Sequence, residues 1–155
     1  MQSMSIVDKR RVAIAYDGTD DANRLFKWAI ENIIRPESDH IVCLTVKPQR
    51  EAKYRHKSED GKDSEYLDAH HDPSLQKLEE RITKLGVTIE QHVMFGDPKE
   101  LIPQYTAREK IDLLIVGSRG LTTLQTVFLG SVSEHCLHEC PCPVLVVRNT
   151  TIDDQ

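Results

Sequence analysis

Leu-Leu-Ile-Val-Gly-Ser-Arg-Gly-Leu-Thr-Thr-Leu-Gln-Thr-Val-Phe-Leu-Gly-Ser-Val-Ser occupies residues 113–133. An apolar run, Ile111 and then residues 113–116, stops at Gly117; Gly120 follows, nine residues intervene, and Gly130-Ser131 opens a helix-like segment that runs to Glu139. A buried strand, a glycine-rich loop and a helix start, in that order, form one physical solution for holding phosphate. Glycine lets backbone approach a ligand, and a helix N-terminus offers unpaired N–H groups with a partial positive charge.

Outward from this stretch the pattern repeats. Residues 11–16, Arg-Val-Ala-Ile-Ala-Tyr, make a short apolar run that ends in the turn chemistry of Asp17-Gly18-Thr19. From Asp20 the apolar positions Ala22, Leu25, Phe26, Ala29, Ile30, Ile33 and Ile34 recur at steps of three and four, which predicts a helix that Pro36 terminates. Residues 41–46, Ile-Val-Cys-Leu-Thr-Val, suit a parallel strand covered on both faces. Leu75, Leu78, Ile82 and Leu85 restore helical spacing before Gly86, and residues 87–93 alternate as a half-exposed strand, placed at a sheet edge. Asp97-Pro98-Lys99-Glu100 starts a further helix with a cap and an N1 proline, while Pro103 should kink it or delay its start. After the glycine loop and its helix, residues 144–147, Val-Leu-Val-Val, close as a fifth strand.

This alternation predicts an α/β fold, a mostly parallel sheet with helices on both faces. In such sheets ligands bind beyond the carboxyl ends of strands, where the winding reverses. Residues 15–19, Val46-Lys47 and residues 116–120 sit at such ends and converge on one crevice if the first and fourth strands are neighbours.

The remaining sequence bounds the function. A length of 155 residues suits a single domain, read here as 11–148 between a flexible N-terminus, 1–10, and a C-terminal tail, 149–155. With 20 Lys and Arg against 25 Asp and Glu, a net charge of -5 leaves no broad footprint for nucleic acid. The N-terminus has no apolar signal region and no run approaches a membrane span, so the expectation is a cytoplasmic protein without a membrane partner. Residues 47–72 lose all periodicity and read as a mobile connection whose basic cluster is Lys47, Arg50, Lys53, Arg55 and Lys57.

With these motifs in place, Gly117-x-x-Gly120, nine residues, then Gly130-Ser131 resembles the ATP-binding pattern of universal stress proteins. Residues 15–19, Ala-Tyr-Asp-Gly-Thr, are similar to that family's first-strand signature. The resemblance runs from about Arg11 to Arg148. It implies a single-domain, Rossmann-like fold of the adenine nucleotide alpha hydrolase type, with a five-stranded parallel sheet in the order 3-2-1-4-5. It further implies an adenine nucleotide ligand, ATP or AMP, with Mg as an accompanying ion for ATP, and a homodimer paired through the last strand, 142–148. Carried over by position, Asp17 is similar to the carboxylate on the ribose and adenine side, and Ala15 and Val46 to the positions flanking the base. Tyr16 and Thr19 belong to the same first-strand segment. Val116 and Gly117 would meet the ribose, and Gly120 and Gly130 the phosphates. Ser131 and Val132 would offer amides and one hydroxyl, and Ser118 and Ser133 lie alongside. Two departures stand out: Ala15 replaces a proline of some ATP-bound members, and Arg119 stands where His is frequent.

Each residue also has a purely structural reading. Asp17 is fit for an Asx turn or a helix cap, Ser131 with Glu134 for a capping box, and the glycines for a tight turn. His135-Cys136-Leu137-His138-Glu139-Cys140-Pro141-Cys142 offers metal-ligating types at helical spacing, but Cys136 and Cys140 share an apolar stripe with Val132 and suit core packing. No P-loop lysine, nucleophile elbow or zinc-protease helix is present in the sequence, so the expectation is a binding protein with no catalytic or metal-ligating residues. A nucleotide-dependent regulatory protein of the stress response heads the readings. An adenylating or slow ATP-hydrolysing enzyme and a dimeric module with a vestigial site stand beside it.

Overall fold

Five strands pair in parallel in the order β3-β2-β1-β4-β5. They are β1 (Arg10–Ala15), β2 (Asp39–Lys47), β3 (Thr88–Phe95), β4 (Leu113–Gly117) and β5 (Val144–Val147). The helices are α1 (Asp20–Asn32), α2 (Pro73–Lys84), α3 (Pro98–Arg108), α4 (Ser131–Glu139) and α5 (Asn149–Asp153). This computed structural model describes residues 4–49, 73–118 and 130–153. The single-domain α/β architecture and strand order match the expectation, with β3 at a sheet edge as its alternation implied.

Because side chains alternate along a strand, the sheet builds two separate cores. Val12, Ile14, Ile41, Cys43 and Ile115 pack on one face under Leu25, Phe26 and Ala29 of α1 and Leu75 and Ile82 of α2. Ala13, Val42, Leu44, Leu114 and Val116 pack on the other under Ile102 and Tyr105 of α3 and Cys136 of α4. The central strands are therefore apolar on both sides, which is why β1, β2 and β4 read as unbroken runs rather than alternating ones.

Local chemistry sets the element ends. Thr19 caps α1 by accepting from the Ala22 amide at 3.2 Å, and Asp97 caps α3 by accepting from the Lys99 amide at 2.9 Å. Gly86 has φ +82°; its N–H donates to the Thr83 carbonyl and that of Val87 to the Ile82 carbonyl, a Schellman closure of α2. Leu85 is consequently carried out of the helical stripe and is 58% exposed, whereas its spacing had placed it on the apolar face.

Pro103 does not delay α3, which begins at Pro98. The cap fixes the first turn, and burial of Ile102, Tyr105 and Thr106 offsets the one backbone bond that proline cannot make. Residues 149–153, read as part of a tail, form α5, and Ile152 packs against the core beneath α1. At the other end Ile6–Asp8 make a 3-10 turn and Arg10 already belongs to β1. Most of the expected mobile connection, from Arg50 onward with Lys53, Arg55 and Lys57, lies outside the described residues.

Strand β2 starts two residues before the apolar run because its polar first residues have partners. Asp39, 1% exposed, accepts from Arg10 Nε at 2.8 Å and Nη2 at 2.6 Å and from the Arg35 amide at 2.8 Å. His40 is buried between Thr88 and Glu90. Removing one partner of a buried charge leaves the other poorly solvated. Arg10→Met is therefore expected to lower stability by about 2–3 kcal/mol in urea unfolding, since Arg10 is itself partly exposed. An unchanged unfolding midpoint would remove Asp39 from the forces that align β1 with β2.

Candidate functional site

The winding reverses between β1 and β4, which are paired with Ala13 opposite Leu114 and Ile14 opposite Ile115. Beyond these pairs the two strands end at Ala15 and Gly117. Ala15, Val46 and Val132 are all half-buried over the core that contains Val116, so they make a shallow apolar floor at the carboxyl ends of β1, β2 and β4. Four positions separated by up to 117 residues of sequence arrive on one face.

Two further bonds fix the helix above that floor. Gly130 donates its N–H to the Ser118 carbonyl at 3.0 Å, and the buried Ser133 hydroxyl donates to the Gly117 carbonyl at 2.6 Å. The N-terminus of α4 is thereby held at the end of β4. Gly130 is the N-cap, with φ -59° and ψ 152°, and carries no side chain to cap with. Ser131 is the first helical residue and is exposed, and Gly130 takes the N-cap position, so the Ser131-Glu134 capping box open to the sequence does not form. The early amides of α4 accordingly receive no side-chain cap from Gly130.

Asp17 and Thr19 are exposed at the mouth of the crevice. Asp17 Oδ1 accepts from the Thr19 amide at 3.1 Å and the Thr19 hydroxyl at 2.6 Å, so the Asx turn weighed for Asp17 is present, with Gly18 at φ +79° between them. Tyr16 turns the other way. Its ring meets Phe26 edge-on at 6.2 Å and its hydroxyl donates to Asn23 at 2.7 Å, so the side chain belongs to the α1 core. Gly117 also faces α1; a Cβ there would lie 3.5 Å from Leu25, an ordinary contact, and its backbone does not demand glycine. Ser118 is buried and donates its N–H to the Val147 carbonyl. Arg119 and Gly120 lie outside the described residues.

The structure thus gathers Ala15, Val46, Val116, Gly130, Ser131 and Val132 at one end of the sheet, with Asp17 and Thr19 beside them. Tyr16 and Ser133 serve the framework. Among the described residues a cleft of about 310 Å³ opens instead at the opposite end, between Thr106, Lys110, Asp112 and Cys142. No group of three or more His, Cys, Asp or Glu there is arranged to hold a metal ion, among the described residues.

Residues 9–148 match the universal stress protein family. The chain belongs to that family. A universal stress protein A-like protein of Arabidopsis thaliana is 33% identical over 139 residues, covering 81% of this chain and 77% of that protein. A Staphylococcus haemolyticus protein named as a universal stress protein is 30% identical over 147 residues, covering 94% and 88%. Among solved structures, a universal stress protein family member of Arabidopsis thaliana with AMP bound superposes with a TM-score of 0.63 at 27% identity, covering 90% of this chain and 91% of that one. This universal stress protein also has no described helix long and apolar enough to cross a membrane.

Two substitutions separate framework from floor. Ser133→Ala is expected to cost about 1–3 kcal/mol, because the Gly117 carbonyl loses its buried donor. Gly117→Ala should change stability by less than about 0.5 kcal/mol, since the added methyl meets only Leu25 at van der Waals distance. Urea titration of both variants checks the pair; a larger loss for Gly117→Ala would mean that backbone room there is scarcer than the geometry allows.

Proposed function

We infer that this universal stress protein binds an adenine nucleotide, AMP or ATP, in the crevice between β1 and β4, and acts as a regulatory binding protein rather than an enzyme. The observation that carries the reading is the N-terminus of α4. Its amides follow a glycine N-cap and are held beside an apolar floor by the Gly130–Ser118 and Ser133–Gly117 bonds. Such a terminus attracts phosphate through unpaired N–H groups and the helix dipole. The AMP-bound Arabidopsis thaliana relative gives the ligand class.

In this reading the base lies over Ala15 and Val46, the ribose meets Val116, Gly117 and Asp17, and the phosphate faces the amides of Ser131 and Val132. Gly120, Arg119, Ser118 and Thr19 complete the proposed contact set. Mg accompanies ATP as its counter-ion. Asp17 already accepts two hydrogen bonds within its turn, which suits holding a ribose hydroxyl better than activating water. The site offers amides and a carboxylate for binding and, among the described residues, has no evident general base aimed at a γ-phosphate. Nucleotide occupancy would be reported through residues 119–129, which join β4 to α4, and through a dimer formed on the 142–148 edge. β5 is a sheet edge, the place where a second strand can add to the ladder.

Gly130→Asp tests the phosphate assignment with two readouts of opposite sign. Aspartate is a good N-cap, so the melting temperature should stay level or rise, while nucleotide binding in calorimetry falls at least tenfold because a carboxylate then faces the phosphate. Equal binding by the folded variant would overturn the assignment. Sedimentation equilibrium of the full chain should give a dimer mass; a monomer at all concentrations would remove the edge-strand interface.

A further inference from the structure

The second region in which chemistry collects is the carboxyl end of α4, remote from the crevice. Cys136 is fully enclosed, and Cys140 and Cys142 are half-buried around it in the core beneath α3. Cys140 is the C-cap of α4: its N–H still donates to the Cys136 carbonyl at 3.1 Å, while φ -73° and ψ 135° turn the chain away. One helical turn therefore separates the two residues, about 6 Å along the axis, within the Cα range that a disulfide spans.

The neighbours of the Cys140 sulfur are the Cys136 thiol, one turn back on α4, and Thr106 of α3, whose hydroxyl donates to the Pro103 carbonyl at 2.8 Å. The Cys136 thiol and then Thr106 favour the thiolate of Cys140 and bring its pKa down to about 7, against the opposing effects of burial and of Glu139. The same hydrogen bond and complete burial push the Cys136 thiol up, so the pair releases one proton from Cys140 and keeps the other on Cys136. Burial also raises Cys142. Cys142 lines the cleft of about 310 Å³ with Thr106, Lys110 and Asp112, which brings solvent to the edge of the cluster.

We propose that Cys140 and Cys136 form a hydroperoxide-reactive dithiol, in which Cys140 is oxidised first and Cys136 resolves it to an intrachain disulfide. The Cys140 thiolate attacks the terminal oxygen of a hydroperoxide; the O–O bond breaks, Cys140 becomes a sulfenic acid, and the alkoxide or hydroxide takes up a proton and leaves as alcohol or water. The Cys136 sulfur then attacks the Cys140 sulfur. The S–S bond forms as the S–O bond breaks, and the departing hydroxide leaves as water with the Cys136 proton. Two thiols lose two electrons and the hydroperoxide is reduced by two, with no further reactant.

The full chain, reduced and then exposed to hydrogen peroxide, tests this by intact mass and by cleavage after Glu139, which separates Cys136 from Cys140. The first product should be one Cys136–Cys140 disulfide, formed at pH 7 about tenfold faster than thiol oxidation of the same chain in denaturant. Its rate should rise through pH 7 as the thiolate forms. Cys136→Ala should stall at a sulfenic acid on Cys140, trapped by dimedone, and Cys140→Ser should lose the fast reaction. Cys142→Ser changes only the half-exposed rim and should keep the wild-type disulfide, so the test stands even if the Cys136 variant does not fold. A Cys140–Cys142 or interchain disulfide as first product, or oxidation no faster than in denaturant, would overturn the proposal.

Discussion

The hydrogen bond from the Ser133 hydroxyl to the Gly117 carbonyl is the joint on which the candidate site turns. A parallel strand ends with its last carbonyls unpaired, and a helix begins with its first amides unpaired. Here the side chain of one element satisfies the backbone of the other, and Gly130 reinforces the joint through Ser118. The end of β4 and the start of α4 are therefore fixed to each other by the framework. A strong bond at 2.6 Å in a buried place makes the distance from β4 to α4 stiff.

The two-sided core explains why that stiffness persists. Strand β1 lies between β2 and β4 and contributes Val12 and Ile14 to one face and Ala13 to the other, all fully enclosed. A tilt of β1 toward either helical layer would open voids in the opposite one, and densely packed interiors resist this. The crevice inherits its shape from a strand that cannot shift. At the amino ends of the strands, by contrast, polar groups do the aligning. Arg10 grips Asp39, and Arg11 donates its amide to Asp112 at 2.8 Å and its guanidinium to Glu90 at 3.2 Å.

Much of this was legible in the sequence because apolar pattern and glycine placement carry it. The unbroken runs of β1, β2 and β4, the stripe from Ala22 to Ala29 and the order of glycines after Val116 each follow from burial or backbone freedom. What escaped were properties of pairs. Nothing in a hydrophobicity pattern shows that Asp39 and His40 are buried with partners, so the apolar run starts two residues after β2 does. Leu85 fits a helical stripe until Gly86 turns the chain beneath it. The separation of Tyr16 from its neighbours Ala15 and Asp17 follows from alternation, but its partner Asn23 lies on a helix whose rotation only the packed structure fixes. Thr106 carries no motif at all; it matters because α3 lays it beside Cys140 and Cys142, just past the end of α4.

The strand order has a consequence for how the molecule comes into being. Arg11 and Asp112, joined by a hydrogen bond, are 101 residues apart, whereas β1 meets β2 after 29. On the ribosome β1, β2 and β3 emerge early and can assemble, while the inner flank of β1 waits for β4 during several seconds of synthesis. Until then β1 presents an uncovered apolar margin, a place for mispairing or for a chaperone to hold. The crevice is thus the last part of the fold that the nascent chain completes, and a stalled or truncated product would own most of the sheet but only the β1 and β2 side of the crevice.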